Sequence, residues 1–279
     1  MRELERKVSS VEHIILNTHP IWSSVRQIIF NRPEKRNALT LVMWQQLLET
    51  LRKCHADPQV RVVILRGIDD SAFCSGADIA EFPLLRSDQK QATQHKEITD
   101  LVTRTLTTLR PITLAAISGV CYGGGLQLAT ACDIRIGTES ARFAITPVKL
   151  GFVYGPYETT LLMRIIGETK AKELLYTGKA ITALEAHRMG FISDISSASD
   201  TLDQLVNQTV YALLQAAPKA QQTTKRLFQQ LADSHKSDQT YANLEELARS
   251  AMEGLEYKEG IQAFLEKRRP TYTEGEPPM

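Results

Sequence analysis

The sequence predicts an α/β fold whose C-terminal part is helical. Strand-like and helix-like runs alternate early in the chain, and from about Thr201 helical patterns continue almost to the end. The run Val60–Arg66, ended by Gly67, reads as a buried strand rather than an amphipathic one. Periodicity alone leaves a doubly wound sheet, a barrel and a spiral all open.

The elements follow in order. Val25–Phe30 is strand-like and leads into a turn-rich loop, Asn-Arg-Pro-Glu-Lys-Arg-Asn, at 31–37. Leu41, Trp44, Leu47, Leu48 and Leu51 then recur at helical spacing. After the Val60 strand comes the loop Phe-Cys-Ser-Gly-Ala-Asp at 73–78, and a polar helical stretch spans about Ser87 to Thr108. Ile112–Ile117 and Ile134–Gly137 are two further strands.

Composition narrows the function. The 279 residues suffice for one large domain, with 43% apolar and 23% charged residues, as in ordinary globular chains. A net charge of +1 gives no electrostatic case for nucleic acid or an anionic membrane surface. Cys54, Cys74, Cys121 and Cys132 form no CxxC pair, and no apolar stretch follows the charged N-terminus, so a reducing, cytoplasmic setting is expected. The six histidines show no metal-ligand spacing, and no G-x-S-x-G nucleophile motif is present. Pro111–Cys132 carries no charge over 22 residues, but Ser118, Gln127 and four glycines interrupt it, which suits a buried strand, turn and helix better than a membrane span.

The turn in that run is the most informative segment. Gly123, Gly124 and Gly125 separate an apolar strand from an apolar helix-like run. A helix that starts there leaves amide N–H groups unpaired, with the positive end of its dipole behind them. Such donors suit a small developing anion, which for an oxygen formed during reaction is an oxyanion hole.

Several segments, taken in order, resemble the crotonase superfamily of enoyl-CoA hydratases and isomerases. They are 31–39 (Asn-Arg-Pro-Glu-Lys-Arg-Asn-Ala-Leu), 73–79 (Phe-Cys-Ser-Gly-Ala-Asp-Ile), 111–119, the glycine triplet, 132–134, 175–178 (Leu-Tyr-Thr-Gly) and 264–269 (Phe-Leu-Glu-Lys-Arg-Arg). The resemblance implies a spiral of ββα turns over 11–200 and a helical trimerisation region over 201–270. A short extension (1–10) would precede them and a loose tail (271–279) would follow. It implies homotrimers or hexamers and an acyl-CoA thioester substrate, with coenzyme A part of that substrate and no separate cofactor. The amides of Ala77 and Gly124 would bind the thioester oxygen and stabilise an enolate. The resemblance also places Ser75, Ala77, Asp78 and Ile79 along the bound ester, Lys35 and Arg36 near the nucleotide, and Lys267 as a candidate contact to its phosphates or adenine, from the same or a neighbouring subunit.

The chain departs from the family at two positions. Hydratases use two glutamates to add water; the matching positions here are Gln127 and Pro147. An amide can orient a water but cannot take its proton, and proline has nothing to titrate. The stretch 143–154 instead resembles the methylmalonyl-CoA decarboxylase branch, whose tyrosine orients the substrate and maps onto Tyr154. Decarboxylation forms the enolate without a base, so an acyl-CoA lyase is the favoured expectation. That branch has a histidine where Ala77 stands, and Ala77 matches the hydratases. A hydratase or isomerase using Glu158 or Asp78 is the alternative, and a non-catalytic acyl-CoA-binding protein is the alternative of another class.

Overall fold

A computed structural model describes residues 12–82, 89–151, 153–197, 201–231, 246 and 254–272. The expected extension at 1–10 and residues 273–279 of the expected tail lie outside these.

Strands β1 (Ile14–Thr18), β2 (Val25–Phe30), β3 (Val62–Gly67), β5 (Ile112–Ile117), β7 (Ile134–Thr138) and β10 (Asp194–Ser196) form one sheet in that spatial order. β1 is antiparallel to β2, and every other pairing in the sheet is parallel. A second sheet holds β4 (Ala72–Cys74), β6 (Val120–Tyr122), β8 (Arg142–Ala144) and β9 (Ala180–Thr182). Each of β3, β5 and β7 is followed within a few residues by its partner in the second sheet and then by a helix. Those helices are α2 (Gln89–Thr108), α3 (Gly124–Ala131) and α4 (Pro156–Thr177, broken at Gly167). Helix α1 (Leu41–Ala56) precedes this repeat, and α5 (Ala183–Arg188) lies between β9 and β10. A strand–strand–helix unit that recurs with parallel pairing in both sheets is the expected spiral.

The large sheet is buried on both faces, which explains why its strands read as continuous apolar runs. Val63, Leu65, Ala115 and Ile117 pack into the core that holds Trp44, Phe73 and Phe143. Their neighbours Val62, Ile64, Leu114 and Ala116 pack on Leu205, Val206 and Val210 of α6 (Leu202–Gln215). Thr40 starts α1 by accepting from the Met43 amide at 3.2 Å, a cap worth about 1 kcal/mol. Helices α7 (Pro218–Leu231) and α8 (Leu255–Leu265) complete the described C-terminal part. Lys225 of α7 is buried and reaches Asp133 at 2.7 Å and the Pro111 carbonyl at 2.9 Å, tying this part to the sheet. The Thr271 amide donates to Glu259 at 2.6 Å, which holds the chain at the start of the expected tail.

Candidate active site

Two loops meet because their strands pair. β4 and β6 are parallel neighbours with Cys74 opposite Cys121, so 75–77 and 123–125 leave the same end of the small sheet. Gly123 adopts φ 47°, ψ −116°, a backbone that side chains rarely tolerate. A Cβ on Gly125 would lie 2.2 Å from the Cys74 carbonyl oxygen, so only glycine lets α3 start this close to β4. The amides of Ala77 and Gly124 are thereby adjacent: a Cβ built on Gly124 would sit 3.5 Å from the Ala77 nitrogen. Neither amide donates to a backbone acceptor among the described residues.

Both amides open on a cavity of about 660 Å³. Trp44, Ile79, Phe82, Pro147, Leu150 and Val153 give it apolar walls, while Gln127, Glu158, His95, Lys96, Thr99 and Asp100 make one side polar. Glu158 stands in the first turn of α4, only 4% exposed, and its Oε1 lies 3.5 Å from the Gln127 amide nitrogen. The same nitrogen donates to Thr103 Oγ1 at 2.8 Å, and Thr103 donates to the Thr99 carbonyl. The other Glu158 oxygen folds back over Gly155, where a Cβ would meet it at 2.5 Å. Asp100 is taken up by Lys96 at 2.7 Å.

The other expected residues fall as follows. Ser75, Ala77 and Ile79 line the cavity. Asp78 does not; its carboxylate pairs with Arg32 at 2.7 Å and accepts from the Ala80 amide, so it braces the loop from behind. Burial alone would raise the Asp78 carboxyl, but the Arg32 and Ala80 hydrogen bonds and the charges of Arg32 and Lys35 hold it below its ordinary value. Lys35 and Arg36 are exposed and outside the cavity lining, but their carbonyls accept from Ser75, which ties their turn to the cavity wall. Lys267 is exposed beyond α8 and is not brought to the cavity. Tyr154 does line it, yet its hydroxyl donates to the Gly123 carbonyl at 2.5 Å. Burial, with Cys121, Glu158 and Cys74 nearby, pushes that phenol well above its ordinary value, so it stays a donor.

Sequence reasoning misses the contribution of α2. His95, Thr99 and Thr103 recur every four residues, with Lys96 and Asp100 on the adjoining row, beside the core positions Val102 and Leu106. That spacing is the signal of a polar row flanking a buried face. Burial holds the His95 imidazole below its ordinary value, against the pull of Glu81.

Two unpaired amides beside a mainly apolar cavity are an arrangement suited to a carbonyl oxygen that gains negative charge. The chain matches the enoyl-CoA hydratase/isomerase family over residues 21–275, and it belongs to that family. It is 32% identical to the (E)-benzylidenesuccinyl-CoA hydratase of Thauera aromatica over 258 residues, covering 91% of this chain and 98% of that one. It is also 32% identical to the enoyl-CoA isomerase/hydratase fer4 of Mycosarcoma maydis over 265 residues, covering 90% and 93%. A solved enoyl-CoA hydratase from Bacillus anthracis superposes with a TM-score of 0.85 at 30% identity, over 94% of this chain and 100% of that one. Among the described residues no helix is long and apolar enough to cross a membrane.

Proposed function

We propose that this enzyme is a single-carboxylate enoyl-CoA isomerase, which moves a carbon–carbon double bond into conjugation with the thioester. Glu158 carries the reading. Of the carboxylates lining the cavity among the described residues, Asp100 is neutralised by Lys96, whereas Glu158 is buried, has no ion pair and touches Gln127. The second hydratase position is the apolar wall of Pro147.

The chemistry needs one base. The Ala77 and Gly124 amides bind the thioester oxygen of a 3-enoyl-CoA. Glu158 takes a proton from the α-carbon, and the C–H electron pair moves into a dienolate whose charge rests on that oxygen. The same carboxyl then returns the proton to the γ-carbon, and the double bond is left between α and β. No water enters and the proton is conserved. Gln127, anchored through Thr103, positions the carboxylate without competing for the proton.

Decarboxylation, which Pro147 would also suit, brings a substrate carboxylate beside Glu158, and like charges in a closed cavity repel. The test compares 3-hexenoyl-CoA, crotonyl-CoA and methylmalonyl-CoA with wild type and Glu158→Gln. Conjugated product should form from the first and fall by about 10²–10⁴-fold in the variant. Release of CO₂ from methylmalonyl-CoA that survives Glu158→Gln would refute the isomerase and restore the lyase. CoA-ester binding without turnover of any of the three would point to a binding protein. We infer further that the chain self-associates through its C-terminal helices, because Leu255 (76%) and Phe264 (81%) leave large apolar side chains exposed.

A further inference from the structure

We propose that Tyr154 is a positioning residue of the oxyanion hole, acting through the peptide group that carries one of its donors. The Gly123 carbonyl and the Gly124 N–H belong to the same planar unit. Rotation about the Gly123 ψ bond swings oxygen and hydrogen together, so a bond that fixes the oxygen also aims the hydrogen. The Gly123 oxygen accepts two donors, the Tyr154 hydroxyl at 2.5 Å and the Gln127 backbone N–H at 3.0 Å. The other donor is built the same way: Ala77 N–H shares its peptide with the Gly76 carbonyl, which accepts from the Leu39 amide at 2.8 Å. One peptide is therefore held from the backbone of the 31–39 loop, and the other by the first backbone bond of α3 together with the Tyr154 side chain.

The side-chain bond has a second consequence. Donation to a carbonyl oxygen draws electrons through the amide and strengthens its N–H as a donor, by about 10–30% per bond. The hydroxyl can do this only while protonated, and its buried setting keeps it so. A glycine at ψ −116° has little steric guidance of its own, so the bond also supplies the rigidity that a donor aimed at a developing charge needs. Tyr154 thus acts on the substrate through the hole rather than by touching it.

The inference rests on the Ala77 and Gly124 amides being the thioester-oxygen donors, and the experiment separates the two claims. Cinnamoyl-CoA is bound to the enzyme and its aryl-enoyl absorption band recorded, since hydrogen bonds to the thioester oxygen shift that band to the red. Tyr154→Phe should retain binding but reduce the red shift, and should lower kcat about tenfold with KM little changed, a fraction of what deleting a whole donor costs. Incorporating 3-fluorotyrosine at position 154, which keeps the shape and makes the phenol a stronger donor, should increase the shift and so gives a readout even where the phenylalanine variant folds poorly. A wild-type shift that stays the same in both variants overturns the proposal alone. A raised KM with unchanged kcat also overturns it, by making Tyr154 a substrate contact. A wild type that leaves the band unmoved overturns the oxyanion reading and this proposal with it.

Discussion

Replacing Gly155 by alanine should disable the enzyme without unfolding it. Gly155 has φ −66° and ψ 165°, an extended conformation open to any residue, so the backbone accepts the new methyl group. It caps the N-terminus of α4, where alanine is a poorer residue than glycine, while the loss of chain freedom in the unfolded state favours alanine. These two effects oppose each other, and net stability should change by less than about 1 kcal/mol. The side-chain consequence is larger. The new Cβ would lie 2.5 Å from Glu158 Oε2, and ordinary contact begins at 3.4 Å, so the carboxylate must retreat by about 0.9 Å. A displacement of about 1 Å in a proton-transfer group costs on the order of 10²-fold in rate. The assay is kcat for 3-hexenoyl-CoA isomerisation, with Tm measured on the same preparations. A kcat within twofold of wild type, at unchanged Tm, would refute the placement of the reacting proton at this carboxylate.

Three further outcomes follow from the geometry. Asp78→Asn should cost about 2 kcal/mol in urea unfolding at pH 7, since a charge-assisted bond to Arg32 is lost. Because the folded carboxyl titrates below its ordinary 3.8, that contribution is present above 3.8 and lost as the pH falls through the folded value, so the gap between variant and wild type should narrow there. His19 is buried against Trp22 and its imidazole is held below the ordinary 6.5, chiefly by burial. The folded state therefore prefers it neutral; Tm should fall as the pH drops below 6.5, and His19→Gln should flatten that slope while lowering the plateau. Lys225→Met should destabilise by about 3 kcal/mol in the same unfolding assay, because Asp133 loses its cation and the Pro111 carbonyl loses a donor.

Much of this was legible in the sequence, and the gaps have physical causes. The strands at 25–30 and 112–117 and the helix from Leu41 coincide with the structure, because each carries a strong apolar period bounded by turn residues. Strands β4, β6, β8 and β9 have only three residues each, too short for any period to show; pairing alone makes them strands. At the site, the glycine triplet announces a close approach because nothing else fits there. Lys96 and Asp100 could not be placed, since a helix pattern gives a face but not the loop that face will cover. The resemblance of 143–154 sets Tyr154 toward the substrate, and the structure adds that its hydroxyl donates to the Gly123 carbonyl. A motif transmits a residue's position, whereas its hydrogen-bond partner depends on rotation of a side chain that no motif records.

On the proposed reading, the two halves of the site are under different constraints, which explains why one is conventional in form and the other displaced. The amides proposed as oxyanion donors sit on loops that leave two paired strands, beside Gly125, where a Cβ would meet the Cys74 carbonyl, so these loops cannot be relocated without dismantling the small sheet. The acid/base group needs only a carboxylate near the α-carbon, and any element bordering the cavity can present one. Proline fills the wall at 147, and the carboxylate appears instead on the first turn of the next helix. That turn is where unpaired amides and the helix dipole favour a negative side chain, so what stabilises the start of α4 also places Glu158 in a buried cavity without a salt bridge. Asp100 borders the same cavity, but its carboxylate is engaged by the Lys96 ammonium at 2.7 Å. Relocating Glu158 to position 147 in a Pro147→Glu, Glu158→Gln double variant should restore proton transfer in part, because the amides it must serve have not moved.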